Sequence, residues 1–113
     1  MKKMSVAALQ TEYDRLRKTL IEIGYISQGS VLDRSKLKTP RSGYQWTRKI
    51  ARKTITVALS LEQFESLKVA ILNRKKLGRA ITHMEKLSRQ ILFKNLPDTK
   101  RHKPLTSKVL GVN

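Results

Sequence analysis

The first helix is predicted by the spacing of apolar residues after Ser5. Apolar side chains recur at intervals of three and four residues, at Val6, Leu9, Tyr13, Leu16, Leu20 and Ile23. This spacing places them along one face of an α-helix and is similar to the seam of a coiled coil. Glycine readily adopts the left-handed conformation that closes many helices. We therefore expect Gly24 to end this helix as a left-handed cap.

Between Gly24 and Ser60 the apolar pattern changes to a period of two, which is typical of strands. One side of this pattern is apolar and carries Tyr44, Trp46, Ile50, Ile55, Val57 and Leu59. The other side is polar or small and carries Gln45, Thr47, Lys49, Thr54, Thr56 and Ala58. Residues 51–53 predict the turn of a hairpin. Because two strands alone are marginally stable, we expect a third strand at residues 29–32, followed by a loop at residues 39–43.

A second, longer helix is predicted from Ser60 onward. Ser60 and Gln63 form a capping box, in which each side chain binds the main-chain amide of the other. The helical pattern continues to about Asn95, which makes the helix about 50 Å long. Gly78 costs this helix roughly 1 kcal/mol relative to alanine and marks a place where it can bend. The predicted fold is α+β, with an N-terminal helix, a small antiparallel sheet and the long helix in one domain, 1–95, and a basic tail, 96–113.

The long helix carries more apolar surface than its predicted partners can cover. We expect the sheet to cover its first turns, and the first helix, at about 28 Å, is too short for the remainder. The uncovered positions lie in the distal half of the long helix, at Leu77, Ile81, Met84, Leu87 and Ile91. We therefore expect a homodimer that forms through this distal half.

Composition excludes several classes of protein. The 113 residues contain no cysteine, which excludes disulfides and Cys-based zinc sites. No window approaches 18 apolar residues, and Gln10 and Glu12 interrupt the apolar stretch after the basic start. Neither a transmembrane helix nor a signal peptide is therefore expected, and we predict a cytoplasmic protein. The apolar fraction of 39% still permits a modest core.

The distribution of charge gives the clearest indication of a ligand. The formal net charge is +17, and residues 34–53 contain eight Lys or Arg and no Asp or Glu. A solvated face without a function normally mixes both signs of charge. The stretch therefore predicts a surface that binds a polyanion, and nucleic acid is the polyanion that we expect.

The candidate nucleic-acid-binding residues lie in three basic segments. The candidates in and before the hairpin are Lys36, Lys38, Arg41, Gln45, Thr47, Arg48, Lys49, Arg52 and Lys53. The candidates on the long helix are Arg74, Lys75, Lys76 and Arg79, for which the alternative is a solvated helix face without a ligand. The candidates in the tail are Lys100, Arg101 and Lys103, which would add sequence-independent contacts by counterion release.

The position of Trp46 decides which side of the hairpin is available to nucleic acid. If Trp46 packs inward, the polar side is exposed, and its amide and hydroxyl groups suit base edges in the major groove of B-DNA. If Trp46 points outward, it forms a stacking platform for single strands together with Tyr44. We favour the inward arrangement because Trp46 shares a side with Ile50.

Catalysis has little support in the sequence. His83 and His102 are far apart, and neither has a neighbouring metal ligand. The closest carboxylates, Glu62 and Glu65, lie in the first turn of a helix, where the helix dipole accounts for them. No phosphate-binding loop or dinucleotide motif is present. We expect a non-enzymatic protein without a cofactor or a metal.

Three short stretches between residues 28 and 57 carry a resemblance to a known family. They are residues 28–31 (Gln-Gly-Ser-Val), 43–49 (Gly-Tyr-Gln-Trp-Thr-Arg-Lys) and 53–57 (Lys-Thr-Ile-Thr-Val), and a helix that opens near Glu62 follows them. In the order of these stretches and the helix, roughly residues 12–92 resemble an uncharacterised family of small basic bacterial proteins that are often encoded beside transposases. The family has no settled activity, and the resemblance implies contact with DNA or RNA in a mobile-element setting.

The resemblance does not extend to a metal site. Many members of the family carry a cysteine cluster between the first two strands, which suggests zinc, whereas this chain has Asp-Arg-Ser-Lys-Leu-Lys at residues 33–38. The hairpin followed by a helix is also similar to the arm-binding domain of tyrosine recombinases, which reads DNA through a small sheet. That likeness concerns shape alone, since one fold serves many functions.

The main hypothesis is a non-enzymatic DNA-binding accessory protein of a mobile element, with a transposase or another protein as a candidate partner. The first alternative is an RNA-binding protein that is ribosome-associated or part of an RNA-guided or element RNA complex. The second alternative is a helical module that binds partner proteins, in which the positive charge only aids solubility.

Overall fold

The computed structural model describes residues 5–97 and 105–111, and it confirms the α+β fold. The elements in chain order are α1 (Val6–Glu22), β1 (Ser30–Asp33), β2 (Tyr44–Ile50), β3 (Lys53–Leu59), α2 (Leu61–Asn95) and α3 (Ser107–Leu110). None of the described helices combines the length and the apolarity that are needed to span a bilayer.

The chain divides into two compact units. The helical unit consists of Met1–Glu22 and Gly78–Asn113, and the sheet unit consists of Ile23–Leu77. The boundary within α2 falls at Gly78, so the two halves of this helix belong to different units.

The helical unit has its core between α1 and the distal half of α2. Leu9 is completely buried, and it belongs to a cluster of buried side chains that also contains Leu16, Ala80, Leu87 and Ile91. Half-buried side chains, among them Tyr13 and Met84, pack against this cluster. Burial of one leucine contributes about 1.5–3 kcal/mol, so these contacts account for the pairing of the two helices.

The contacts of α1 remove the reason for expecting a dimer through the distal half of α2. The length of α1 predicted that it would not reach this half, but α1 packs on it, so Met84, Leu87 and Ile91 are covered within the chain. Ile81 remains 43% exposed. A homodimer through this surface stays a prediction, but without the large apolar face that suggested it.

The end of α1 differs from the prediction. The helix ends at Glu22, and Gly24 does not adopt a positive φ, so it is not a left-handed cap. Within the sheet unit, hydrogen bonds to α2 hold the segment that follows Gly24. The side-chain amide of Asn73 donates to the carbonyl of Tyr25 at 3.0 Å. The N–H of Ser27 donates to the carbonyl of Ala70 at 3.1 Å.

The sheet is antiparallel, with β2 between β1 and β3. Trp46 pairs with Val31 and Val57, and Thr47 pairs with Ser30 and Thr56. Because paired residues point to the same face, this register confirms the predicted separation into two faces. The apolar face carries Val31, Asp33, Tyr44, Trp46, Arg48, Ile50, Lys53, Ile55, Val57 and Leu59. The polar face carries Ser30, Leu32, Gln45, Thr47, Lys49, Thr54, Thr56 and Ala58.

The start of α2 confirms the predicted capping box. The N–H of Ser60 donates to Oε1 of Gln63 at 3.0 Å, and the N–H of Gln63 donates to Oγ of Ser60 at 3.1 Å. Just inside the helix, the ring of Phe64 lies 4.5 Å from the ring of Tyr44, measured between centroids. The apolar face of the sheet therefore contacts the first turn of α2 at the Tyr44 end.

The far end of the chain also contains helical structure. Residues 107–110 of the predicted tail form α3, with Thr106 as its N-cap and Gly111 in the left-handed conformation after its last residue. Nε of Arg89 on α2 donates to the carbonyl of Leu110 at 2.6 Å. This part of the predicted tail is therefore attached to α2 within the helical unit.

We expect Gly78→Ala to stabilise the protein by about 0.5–1 kcal/mol, because alanine loses less backbone entropy than glycine in a helix. A Cβ at this position meets no atom within 4 Å, so no steric cost offsets the gain. Thermal unfolding followed by circular dichroism measures the change.

Gly29→Ala is the matched control and should have the opposite effect. Gly29 has a φ of +96°, and a Cβ there would lie 2.5 Å from the carbonyl oxygen of Thr47 and 2.6 Å from Nε1 of Trp46. Left-handed backbone alone costs a non-glycine residue about 1–2 kcal/mol. Equal melting temperatures for the two variants would contradict this account of both positions.

Candidate nucleic-acid interface

The polar face presents its side chains in rows that cross the sheet. One row consists of Ser30, Thr47 and Thr56, and the hydroxyls of Ser30 and Thr47 are hydrogen-bonded at 3.1 Å. The neighbouring row, nearer to the loop between β1 and β2, has Gln45 at its centre. The row on the other side pairs Lys49 with Thr54, and both are exposed. The face thus combines amide, hydroxyl and ammonium groups.

Arg34 organises the loop between β1 and β2, and the sequence-based set of candidates did not include it. Its main-chain N–H donates to the carbonyl of Gly43 at 3.0 Å, and its carbonyl accepts from the N–H groups of Leu37 and Arg41 at 3.3 and 3.2 Å. Its Nε donates to Oε1 of Gln45 at 3.2 Å. The loop therefore directs the Arg34 guanidinium onto the polar face.

The segment around Arg34 begins with a local turn that the sequence could have indicated. The carboxylate of Asp33 accepts hydrogen bonds from the N–H of Ser35 at 3.0 Å and from its hydroxyl at 2.7 Å. An Asp side chain commonly accepts from the main-chain N–H two residues later and so starts such a turn. These hydrogen bonds, the hydroxyl first, lower the pKa of the Asp33 carboxyl below its usual value.

The hairpin ends in a two-residue turn rather than the predicted three. Ala51 and Arg52 both have positive φ, at 47° and 69°, as a type I′ turn requires, and Lys53 already belongs to β3. Left-handed backbone costs each of these non-glycine residues about 1–2 kcal/mol. The turn therefore retains an arginine at the exposed tip where glycine or asparagine would be more stable.

The hairpin candidates do not all lie on one face. Gln45, Thr47 and Lys49 share the polar face, and Arg52 is exposed at the tip. Arg48 and Lys53 lie on the apolar face, opposite Ile55 and Ile50 respectively. The first four can therefore contact one ligand on the polar face, whereas Arg48 and Lys53 point to the opposite face.

Trp46 lies on the apolar face, but this face is not a closed core, since Ile50, Ile55 and Val57 are 41%, 39% and 43% exposed. Trp46 is half-buried, and its indole N–H donates to the carbonyl of Gln28 at 2.9 Å. Next along β2, Arg48 is also half-buried, and its Nε is buried without a hydrogen-bond partner among the described residues. The hydrogen bond to Gln28 anchors the edge of the indole on the apolar face.

The remaining candidates are distributed over other elements. Lys36, Lys38 and Arg41 are exposed in the loop that Arg34 organises. The cluster of Arg74, Lys75 and Lys76 is exposed on α2 in the sheet unit, whereas Arg79 is exposed on α2 in the helical unit. The tail candidates Lys100, Arg101 and Lys103 lie outside the described residues.

The described cations of the sheet unit do not form close ion pairs with acids of the chain. Two ion pairs are found in α1, where Arg15 binds Glu12 and Arg17 lies 3.8 Å from Asp14. Within residues 23–77, no Lys or Arg lies within 4.0 Å of a carboxylate of the described chain. The positive charge of the sheet unit is therefore available to an external anion.

Comparison with known proteins returns no matching family model, no matching curated protein and no matching solved structure. In the described residues, no three His, Asp or Glu side chains are grouped as metal ligands would be.

We expect Arg48→Met to raise the free energy of unfolding by about 1 kcal/mol, because it removes a buried polar atom that lacks a partner and keeps the aliphatic contacts. Lys49→Met on the opposite face is the control, since exposed substitutions change stability by less than about 0.5 kcal/mol. Chemical denaturation measures both variants. A loss of stability in Arg48→Met would show that the guanidinium is satisfied in solution.

We expect Ser35→Ala to raise the pKa of Asp33 towards its usual value, because the hydroxyl is the main group that lowers it. In the wild type the charged Asp33 carboxylate stabilises the turn at pH values above the pKa that Asp33 has in the unfolded chain. This stabilisation is lost as the pH falls through the lower pKa that Asp33 has in the folded protein. NMR titration of the carboxyl carbons measures the pKa. The pKa of Glu12, which Arg15 lowers, serves as the control and should not change.

Proposed function

We propose that this protein is a non-enzymatic DNA-binding protein that contacts the major groove with the polar face of its sheet. One observation carries the proposal: the face and the adjoining tip present Lys49 and Arg52 beside amide and hydroxyl groups, with no described carboxylate within 4.0 Å of either cation. A surface of this composition supports both attraction to phosphates and hydrogen bonding to base edges.

The spacing of the polar face supports contact with stacked base pairs. Alternate residues of a strand are about 6.8 Å apart, so Gln45, Thr47 and Lys49 are spaced by about two base-pair steps. The major groove of B-DNA is about 12 Å wide, which accommodates a two-stranded ribbon such as the distal part of β2 and β3. Groove contact would also account for an arginine at the strained tip, because Arg52 lies where the hairpin would meet the phosphates.

Basic residues outside the polar face supply phosphate contacts in this proposal. The loop residues Lys36, Lys38 and Arg41 adjoin the Gln45 end of the sheet, and Arg74–Lys76 add a basic cluster on α2. Contacts of this kind position a protein on DNA without selecting a sequence. Each neutralised phosphate releases counterions, which makes the affinity depend steeply on salt.

The same surface favours DNA over RNA as the ligand. The major groove of A-form RNA is deep and narrow, so a sheet face cannot reach its base edges. The family resemblance adds a mobile-element setting and a transposase as a candidate partner to the proposal. An RNA ligand or a protein ligand is an alternative outcome of the experiment below.

We expect Lys49→Gln to weaken binding to duplex DNA by about tenfold and to flatten the salt slope by about 1, because one charged phosphate contact is lost. Lys18→Gln in α1 is the matched control, since it removes the same charge from a part of the chain outside the interface. Fluorescence anisotropy over a salt series measures both variants.

The wild type should show a log–log salt slope of about −0.9 for each of roughly 6–10 neutralised phosphates. A slope no steeper than about −2, or equal losses in the two variants, would contradict a localised DNA interface. Stronger binding to double-stranded RNA than to duplex DNA at the same salt concentration would replace DNA with RNA as the ligand. Capture of a protein after complete nuclease digestion, with no binding to either nucleic acid, would support the protein-interaction alternative.

A further inference from the structure

The outer edge of β3 is unpaired and exposed. β3 pairs with β2 on one side, and no strand of the described chain pairs with its other side. Proteins commonly protect an edge strand by making it short or by placing charge or proline within it. The other edge strand, β1, has four residues, whereas β3 has seven, of which the first six are exposed. The only charged residue of β3 is Lys53, at its start.

We propose that this edge binds an extended acidic segment of a partner protein, which adds a fourth strand to the three-stranded sheet. Strand addition at an exposed sheet edge is a recurring way of binding peptides. Main-chain hydrogen bonds supply the affinity, and alternate side chains supply the specificity. The proposal concerns the edge of the sheet rather than its polar face, so it does not depend on DNA binding.

The register of the hairpin shows which main-chain groups are free at this edge. In a two-residue turn, the residues on either side, here Ile50 and Lys53, form a hydrogen-bonded pair. Hydrogen-bonded and non-hydrogen-bonded pairs then alternate along the two strands. The N–H and carbonyl groups of Thr54, Thr56 and Ala58 therefore point away from β2. None of the described main-chain hydrogen bonds outside the helices and strands involves these three residues.

The side chains beside this edge suit a segment with alternating apolar residues. Ile55 and Val57 lie on the apolar face, and both are exposed. Paired residues of adjacent strands point to the same face, so residues of an added strand opposite Ile55 and Val57 would cover them. The residues between them would form hydrogen-bonded pairs with Thr54, Thr56 and Ala58 and would point to the polar face.

Charge favours an acidic partner over a second copy of this chain. A second copy could offer the same free edge, but two chains of net charge +17 repel each other. Residues 34–61 contain no Asp or Glu, and the cations near the edge are Lys53 on the apolar face and Lys49 on the polar face. Carboxylates on either face of an added strand would therefore meet positive charge, and opposite charges on neighbouring strands stabilise their pairing.

The first test uses the wild-type protein and the capped peptide Val-Glu-Val-Glu-Val-Glu-Val as the probe. Its valines match Ile55 and Val57, and its glutamates match the free main-chain groups. The peptide should slow hydrogen exchange of the Thr54, Thr56 and Ala58 amides by about tenfold or more, as measured by NMR. The amides of Ile55 and Val57 already bond to β2 and should change little. Absence of protection at the three free amides would overturn the proposal.

Modified peptides distinguish strand addition from attraction by charge alone. N-methylation of the three glutamates removes the N–H groups that face β3 and should abolish the protection, whereas N-methylation of the valines removes outward N–H groups and should preserve it. Equal effects of the two modifications would overturn the proposal. So would equal protection by the peptide Val-Lys-Val-Lys-Val-Lys-Val. Protection that rises with protein concentration in the absence of peptide would identify a second copy as the occupant and overturn the acidic partner.

Discussion

The register of β2 between its two neighbours is the constraint on which the candidate interface depends. A shift of one residue in this pairing would move every side chain of β2 to the opposite face, so that Trp46 and Ile50 would replace Gln45 and Lys49 on the polar face. Three features of the sheet hold this register. The indole of Trp46 donates to the carbonyl of Gln28, Gly29 leaves room for the indole, and the two-residue turn after Ile50 fixes the pairing of β2 with β3.

The charge distribution is the reason for proposing that the polar face binds a polyanion. A chain of net charge +17 is destabilised by its own repulsion, and acids placed among the bases would relieve it. Such relief is present in α1, where Glu12 and Asp14 lie beside Arg15 and Arg17. It is absent from the described contacts of the sheet unit. A polyanion supplied from outside is the arrangement that would relieve the repulsion there, and the polar face is where it could also reach hydrogen-bonding groups.

The sequence was sufficient wherever a local pattern determined the structure. The apolar period of α1, the alternation in β2 and β3, and the capping box at Ser60 each depend on neighbouring residues, and the structure confirms them. For features that depend on contacts between distant residues, the sequence-based predictions were wrong or absent. Gly24 does not form a cap, and the chain that follows it is attached to α2 by hydrogen bonds from Asn73 to Tyr25 and from Ser27 to Ala70. The packing of α1 on the distal half of α2 likewise depends on contacts between residues about 70 positions apart in sequence.

The candidate site shows the same division. Alternation alone predicted that Gln45, Thr47 and Lys49 share a face, whereas a count of basic residues included Arg48, which the register places on the other face. Arg34 was missed because its role requires the loop to fold back so that its main chain meets Gly43. A periodic pattern of residues does not predict this closure of the loop between β1 and β2.

If DNA contacts the polar face of the sheet while Trp46 remains packed on the opposite face, NMR titration of the labelled protein with a B-form duplex should shift the amide signals of Gln45, Thr47 and Lys49. The indole N–H signal of Trp46 should stay in place. A large shift of the indole signal, with the polar-face amides unchanged, would show instead that the ligand stacks on the apolar face.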